Sequence, residues 1–363
     1  MSKDDRLGEI RRRIDAIDAD LLRLLSERAR CAQQVAEVKQ AAGETAFYRP
    51  EREAQVLRRV AADNPGPLPA DAVTHLFREI MSACLALERP LTVAYLGPPG
   101  TFSQDATHKQ FGQSVASLPQ ATIEQVFREV DAGAADYGVV PIENSTEGAV
   151  THTLDMFATS PLKVCGEVEL AVHQQLLSRA AQLGAITVVY SHAQSLAQCR
   201  RWLAAHLPGV RTEAVSSNAE AARRAAGETG AAAIAGESAG RLYELPRLAA
   251  NIEDEPGNTT RFLVIGQQDT QPSGRDKTSL LLSTGNRPGA LAALLEPLRR
   301  HGVSMTRIES RPARTGRWQY VFFVDIEGHT QDAPVQQVLA ELREVATLCK
   351  VLGAYPRASG DAA

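Results

Sequence analysis

The chain has 363 residues, 44% of them hydrophobic and 23% charged, which is the composition of a globular protein and excludes a disordered one. Its length exceeds what one ordinary core organises, so two or three domains are expected. A net charge of −4 and a pI near 6.1 leave no cationic surface for nucleic acid, so any bound anion must be met by locally placed Arg and Lys.

The first segment, about residues 5 to 88, reads as helix only. Its opening, MSKDDRLGEIRRRIDAID, is charged and has no apolar h-region, so a secretory signal is not expected. Ile10, Ile14, Ile17, Leu21, Leu24, Cys31, Val35 and Val38 step by three and four, the stripe of a helix that buries one face. Gly43 marks its end, giving a rod about 57 Å long at 1.5 Å per residue. Two shorter helices, near 51–62 and 71–88 and separated by NPGPLP, are too short to cover it. A second copy of the chain is therefore expected to do so, making a homodimer.

After Arg89-Pro90 short apolar strands alternate with helices. TVAYLG, GVVPI, ITVVY, AAAIA and FLVI read as strands, while TIEQVFREV and SLAQCRRWLAAHL read as helices. Such alternation over about 180 residues predicts an α/β architecture of two lobes with a cleft. Beyond the linker QQDTQPSGRDK the order is strand, helix, strand, strand, helix, strand, a ferredoxin-like βαββαβ unit. The expected domains are 1–90, 91–269 and 275–356. Nowhere does a run of about 18 apolar residues occur, so no membrane span is expected. Five scattered cysteines (Cys31, Cys84, Cys165, Cys199, Cys349) without a C-x-x-C pair favour reduced thiols over disulfides or a zinc site. The cytoplasm is the expected compartment.

Several polar residues stand where pattern alone would place apolar ones. Arg28 continues the long helix's apolar stripe, and a buried arginine is costly unless an anion meets it. Lys39, three turns on, shares that face about 16 Å away. Arg11 lies a quarter turn off it and reaches such a pocket more naturally from a partner helix. Cys84 and Glu88 stand at i and i+4 on the stripe of Val73, Phe77 and Ile80. The bland alternative is that these cations are solvated on a helix that only dimerises. The segments RRRIDAIDADLLRLLSERARCAQQVAEVK, YRPEREAQVL and LFREIMSACLALE together resemble the all-helical chorismate mutase domain. The resemblance implies a site lined by Arg11 of the other subunit, Arg28, Lys39, Arg52, Glu53, Cys84 and Glu88. In it the arginines take the substrate's carboxylates, Glu53 its ring hydroxyl and Lys39 its ether oxygen. Such a rearrangement needs a compactly folded dicarboxylate and a donor for growing charge, with no nucleophile or metal. Some members of the family carry serine and glutamine where this chain has Cys84 and Glu88. A glutamate donates a hydrogen bond only when protonated, so Glu88 is expected to be a neutral acid whose pKa burial has raised.

In the middle segment, polar clusters sit at strand ends: GPPGTFSQ, PIENSTEG, YSHAQSLAQC and EDEPGNTTRF. Single clusters of this kind are usually helix caps; four of them are the pattern of a ligand cleft. ENSTEG, SHAQSLAQC and TTRF in combination resemble prephenate dehydratase over about 91–268, which implies two α/β lobes like the periplasmic binding proteins. The matched motifs place Glu143, Asn144, Ser145, Thr146, Ser191, Gln198 and Thr260 in the site, with Arg261 as anion clamp. Thr260 is the expected hydrogen-bond donor to the leaving hydroxyl, Glu143 the competing acid, and His192 is read as structural. In the last segment GNRPGAL and ESRP match motifs of the ACT regulatory domain. They imply an L-phenylalanine site built from Gly289, Ala290, Leu291, Glu309, Ser310, Arg311 and Pro312. As a whole the chain resembles the bifunctional chorismate mutase–prephenate dehydratases of phenylalanine biosynthesis. Chorismate and prephenate are the implied substrates, L-phenylalanine the implied inhibitor, and no cofactor is implied. The residues leave open dehydration of arogenate instead of prephenate, and a non-catalytic helical segment.

Overall fold

The computed structural model describes residues 3–43, 48–285, 287–312 and 320–358. The chain divides into two compact units. One comprises Met1–Arg49, Val56–Leu91 and Phe111–Ala116, the other Pro50–Gln55, Thr92–Gln110 and Ser117–Ala363.

The long apolar stripe forms one helix, α1 (Lys3–Ala41), with Asp4 and Asp5 in its first turn and Lys39 in its last, both favourable to the helix dipole. Pro50 opens α2 (Pro50–Ala62), where its fixed φ suits the first turn, and α3 (Ala70–Glu88) follows. Within the first unit α1 packs on α3. No residue of α1 is buried, and its stripe lies open: Ile10, Ile14, Ile17, Leu21 and Leu24 are each about half exposed.

From Thr92 the chain runs through β1 (Thr92–Leu96), α4 (Phe102–Phe111), β2 (Ala116–Gln120), α5 (Ile123–Asp131), β3 (Tyr137–Asn144), β4 (Gly148–Ala149), α6 (Thr151–Thr159) and β5 (Lys163–Ala171), a first lobe. The chain crosses to a second lobe of β6 (Gln175–Ser178), β7 (Val188–His192), α7 (Ala193–Gln198), α8 (Arg200–His206) and β8 (Arg211–Val215). That lobe is completed by α9 (Asn218–Gly227), β9 (Ala231–Ala235), α10 (Glu237–Leu242) and β10 (Arg247–Ala249). It then returns to the first lobe with β11 (Thr259–Gly266). The sheets run β2-β1-β3-β11-β5, with β4 on β3, and β10-β6-β9-β7-β8. The two crossings are bonded to each other: Val172 N donates to Asn258 O at 2.8 Å, and Ile252 N to Gln174 O at 2.9 Å.

Two expectations shift here. Ile186 closes a 3₁₀ turn on Leu183 O, so the strand expected from Ile186 starts at Val188. The helix expected across SLAQCRRWLAAHL breaks at Cys199, because the Asp254 carboxylate accepts from Arg201 N and Trp202 N and so caps a new helix.

The last segment is β12 (Asp276–Thr284), α11 (Ala290–Arg300), β13 (Met305–Pro312), β14 (Tyr320–Glu327), α12 (Ala333–Val345) and β15 (Leu348–Pro356), the βαββαβ order expected, in a sheet β13-β14-β12-β15. Trp318 and Gln319, expected to begin its third strand, lie outside the described residues. The apolar run Leu280-Leu281-Leu282 reflects burial of both sheet faces. Leu280 and Leu282 join Leu294, Leu298, Val338 and Leu342 beneath the helices. Leu281, Phe323, Leu352 and Tyr355 instead share a core with Leu154, Phe157, Val164 and Ile265 of the first lobe.

That shared core depends on close backbone approach at Gly353, where a Cβ would lie 2.1 Å from Val164 O. Gly353→Ala is expected to destabilise the protein by about 1–3 kcal/mol in denaturant unfolding. Gly184→Ala, with open space around it, should stay within about 0.5 kcal/mol of the parent.

Candidate functional site

The inner ends of β3 and β11 lie side by side, with Thr260 opposite Asn144 and Arg261 opposite Glu143. Cross-strand partners share a face and successive residues alternate, so Thr260 and Asn144 point one way, Arg261 and Glu143 the other.

On the first face a hydrogen-bonded seam joins the two lobes. Asn144 Nδ2 donates to Thr260 Oγ1 at 2.9 Å and to Asn258 Oδ1 at 2.7 Å. Asn258 Nδ2 donates to Gln198 Oε1 at 3.3 Å, which also accepts from Gln174 Nε2. The chain continues from Gln174 to Ser195 Oγ, then Asn218 Nδ2, whose Oδ1 lies 3.0 Å from Ser191 Oγ. Thr146 closes a side loop: its hydroxyl donates to Asn144 Oδ1 at 2.6 Å and accepts from Gln198 Nε2. Ser145 ties the loop to β11 by donating N–H to Thr259 O and accepting from Thr259 N. The structure therefore brings Asn144, Ser145, Thr146, Ser191, Gln198 and Thr260 into one network. Thr260 Oγ1 accepts within it, and its own proton has no acceptor among the described residues.

Gln174, Ser195, Asn218 and Asn258 are functional candidates that sequence reasoning missed. Ser195 and Asn258 stand inside or beside the polar motifs; Gln174 and Asn218 have only cap-like or linker-like contexts. Gln174 is 1% exposed, and its Oε1 is buried without a partner among the described residues. His192 caps α7 through Gln194 N, as a structural histidine would. The GPPGTFSQ loop leads into a second contact between the lobes, where Asp105 on α4 accepts from Ser238 on α10.

Arg261 departs from its expected role. Strand alternation turns it away from Thr260, and its guanidinium is fully engaged: Nε with Glu167 at 2.8 Å, Nη1 with Asp325 at 2.6 Å and Nη2 with Tyr355 Oη at 3.0 Å. Burial pulls its pKa down, but Tyr355, Asp325 and Glu167 outweigh that and hold it above the usual arginine value. A cation so committed is a link to the last sheet, not a free anion clamp. Glu143, on the same face, is ion-paired to Arg307 Nε at 2.7 Å. One oxygen of that carboxylate is committed to accepting from Arg307, whereas the Thr260 hydroxyl keeps its own O–H to donate, which favours Thr260 over Glu143 as donor.

In the last sheet Gly289 takes φ 79°, a left-handed conformation suited to glycine, and caps α11, placing Ala290 and Leu291 in its first turn. Glu309, Ser310, Arg311 and Pro312 end β13, and Arg311 pairs with Asp155 and Thr151 O of the first lobe. In the helical unit Arg28, Lys39 and Glu88 are half-buried, Cys84 is buried and Arg11 is exposed. Burial raises the Glu88 pKa while Lys39 pulls it down, and Glu88 Oε2 is buried without a partner among the described residues. Arg52 and Glu53 occupy the first turn of α2, in the segment assigned to the other unit.

Family comparisons agree with this division of labour. The chorismate mutase type II family model matches residues 10–89, prephenate dehydratase 93–270 and the ACT domain 278–344. A bifunctional chorismate mutase/prephenate dehydratase from Stutzerimonas stutzeri is 56% identical over 363 residues, covering 99% of this chain and 100% of its own. One from Pseudomonas aeruginosa is 55% identical with the same coverage. Among solved structures, prephenate dehydratase from Arthrobacter aurescens in complex with L-Phe is 34% identical, with a TM-score of 0.68 over 74% of this chain and 90% of that one. The chain belongs to the bifunctional chorismate mutase/prephenate dehydratase family.

A neutral Glu88 donates a hydrogen bond and an ionised one does not. Mutase kcat/KM is therefore expected to fall as pH rises through the raised Glu88 pKa. Glu88→Gln should flatten the profile, as read from initial rates of chorismate consumption; an unchanged profile in the variant would remove Glu88 from this role.

Proposed function

We propose that the protein catalyses two consecutive steps of phenylalanine biosynthesis: rearrangement of chorismate to prephenate, and conversion of prephenate to phenylpyruvate, carbon dioxide and water. The proposed domains are a mutase at 1–90, a dehydratase at 91–269 and an ACT domain at 275–356. The observation that carries the dehydratase assignment is the seam from Thr260 through Asn144, Asn258 and Gln198 to the second lobe. Prephenate loses its ring carboxylate as carbon dioxide and its ring hydroxyl as water, and aromatisation supplies the driving force. The protein's share is to hold the molecule and hydrogen-bond the departing oxygen. Thr260 is suited to the second task, because accepting from Asn144 leaves its own O–H free and polarises it. A threonine hydroxyl is a weak acid, so it serves as one donor in a relay.

For the mutase, Lys39 and a protonated Glu88 are the donors toward the ether oxygen. The binding roles of Arg11, Arg28, Arg52, Glu53 and Cys84 belong to the same proposal. The half-exposed stripe of α1 supports a homodimer, since an uncovered run of Ile and Leu along a helix of 39 residues calls for a second apolar surface. L-Phenylalanine is the proposed inhibitor, bound at Gly289–Leu291 and Glu309–Pro312, and the cytoplasm the proposed compartment.

Purified protein given chorismate alone should release phenylpyruvate, and L-phenylalanine should suppress it; accumulation of prephenate instead would overturn the dehydratase reading. Thr260→Val should lower dehydratase kcat by about 10²-fold or more with chorismate consumption intact. Ile17→Asp, a charge on the open stripe, should yield monomers in sedimentation and abolish mutase turnover. A dimeric Ile17→Asp protein would place the interface elsewhere.

A further inference from the structure

Four charged residues meet where the first lobe adjoins the last sheet, and their order around the junction is alternating. Glu143 on β3 is the register partner of Arg261 on β11. Arg261 is bonded to Asp325 on β14 at 2.6 Å. Asp325 is the register partner of Arg307 on β13, and Arg307 returns to Glu143 at 2.7 Å. Two of the four belong to the dehydratase lobe and two to the regulatory sheet. Three of them are largely out of water, the Arg307, Arg261 and Asp325 side chains being 10%, 12% and 7% exposed, while the Glu143 side chain, at 40%, is the ring's open edge.

The ring lies one residue along the chain from the seam and two from the regulatory motif. Glu143 precedes Asn144, whose amide holds Thr260, and Arg261 follows Thr260. On the other side Arg307 stands two residues before Glu309, on the same face of β13. A second arginine, Arg311, fastens the far end of that motif to Asp155. The strand bearing Glu309 and Ser310 is thus pinned to the dehydratase lobe on both sides. A small shift of β13 must move the Glu143 carboxylate or break its bond to Arg307. Arg307 Nη2 is buried with no partner among the described residues, so this guanidinium has a donor in reserve for an altered arrangement.

We infer that Arg307, a residue of the regulatory domain, is a positioning residue for the dehydratase cleft. By holding Glu143 it orients Asn144 and Thr260, and through the same bond an effector seated at the Glu309–Pro312 motif changes dehydratase turnover. The inference rests on the proposed dehydratase and its inhibition by L-phenylalanine, and it names the contact through which the two communicate.

The test uses the full chain with Arg307→Gln, Arg307→Lys, Glu143→Gln and the Glu143→Gln/Arg307→Gln double variant. Prephenate turnover is measured across L-phenylalanine concentrations, L-phenylalanine binding by calorimetry, and chorismate consumption as a report of folding. Arg307→Gln should lower dehydratase kcat/KM about tenfold. It should raise the half-inhibiting L-phenylalanine concentration about tenfold or more, while the calorimetric Kd changes less than about threefold. Arg307→Lys should recover some of both, since it keeps the charge and loses the fork. The double variant should be no worse than Glu143→Gln, because both substitutions remove one interaction. Three results would overturn the inference: inhibition of Arg307→Gln at the parent's concentration, loss of L-phenylalanine binding in step with loss of inhibition, or additive losses in the double variant. A parent protein inert toward prephenate would be seen before any variant is made, and would overturn the functional reading itself.

Discussion

Adjacent residues on a strand cannot serve the same face, and at Thr260–Arg261 that constraint organises the second unit. Thr260 and its partner Asn144 enter the seam between the lobes; Arg261 and its partner Glu143 face the regulatory sheet. A slip of one residue would send the guanidinium into the cleft and the hydroxyl into an ion cluster. Phe262, Leu263, Val264 and Ile265, all buried, resist such a slip, because both faces of β11 are covered and each side chain has a core to fill. The apolar half of this strand thereby fixes the chemistry of its polar end.

The same alternation ties the regulatory sheet into the dehydratase fold. Its β12 sends alternate residues to its own helices and to the first lobe. Glu167, fully buried, would be untenable without cations, and it takes one from each side: Arg261 from its own sheet and Lys277 from the regulatory sheet. Removing one partner would leave the carboxylate buried with half its compensation.

What the sequence made legible followed from periodicity. The 3.6-residue stripe of α1, the alternation of strands and helices and the βαββαβ order of the last segment all have a fixed period, and all are readable. Polar residues whose role depends on a three-dimensional neighbour are not. Gln174 matters because a crossing brings it beside Gln198 and Ser195, and nothing in HQQ announces that. Asp254 breaks a helix that is distant in sequence. Arg261 resembles an anion clamp as long as guanidinium chemistry is considered without the strand's facing, although TTRF followed by an apolar run already implies that facing. The anion it meets is the protein's own.

A buried cluster of charges is a poor device for stability, since desolvation offsets most of the Coulombic gain, and apolar residues of similar volume often hold a fold as well. The junction between the first lobe and the regulatory sheet has such an apolar alternative beside it, in Leu281, Phe323, Leu352 and Leu154. Apolar contacts tolerate small sliding, whereas a bond of 2.7 Å between Arg307 and Glu143 depends steeply on distance and angle. The apolar contacts can therefore keep the two sheets together while the charged ring registers how they sit. Because Glu143 adjoins Asn144 and Arg261 adjoins Thr260 along the chain, a displacement too small to disturb the core still has a direct path to the seam.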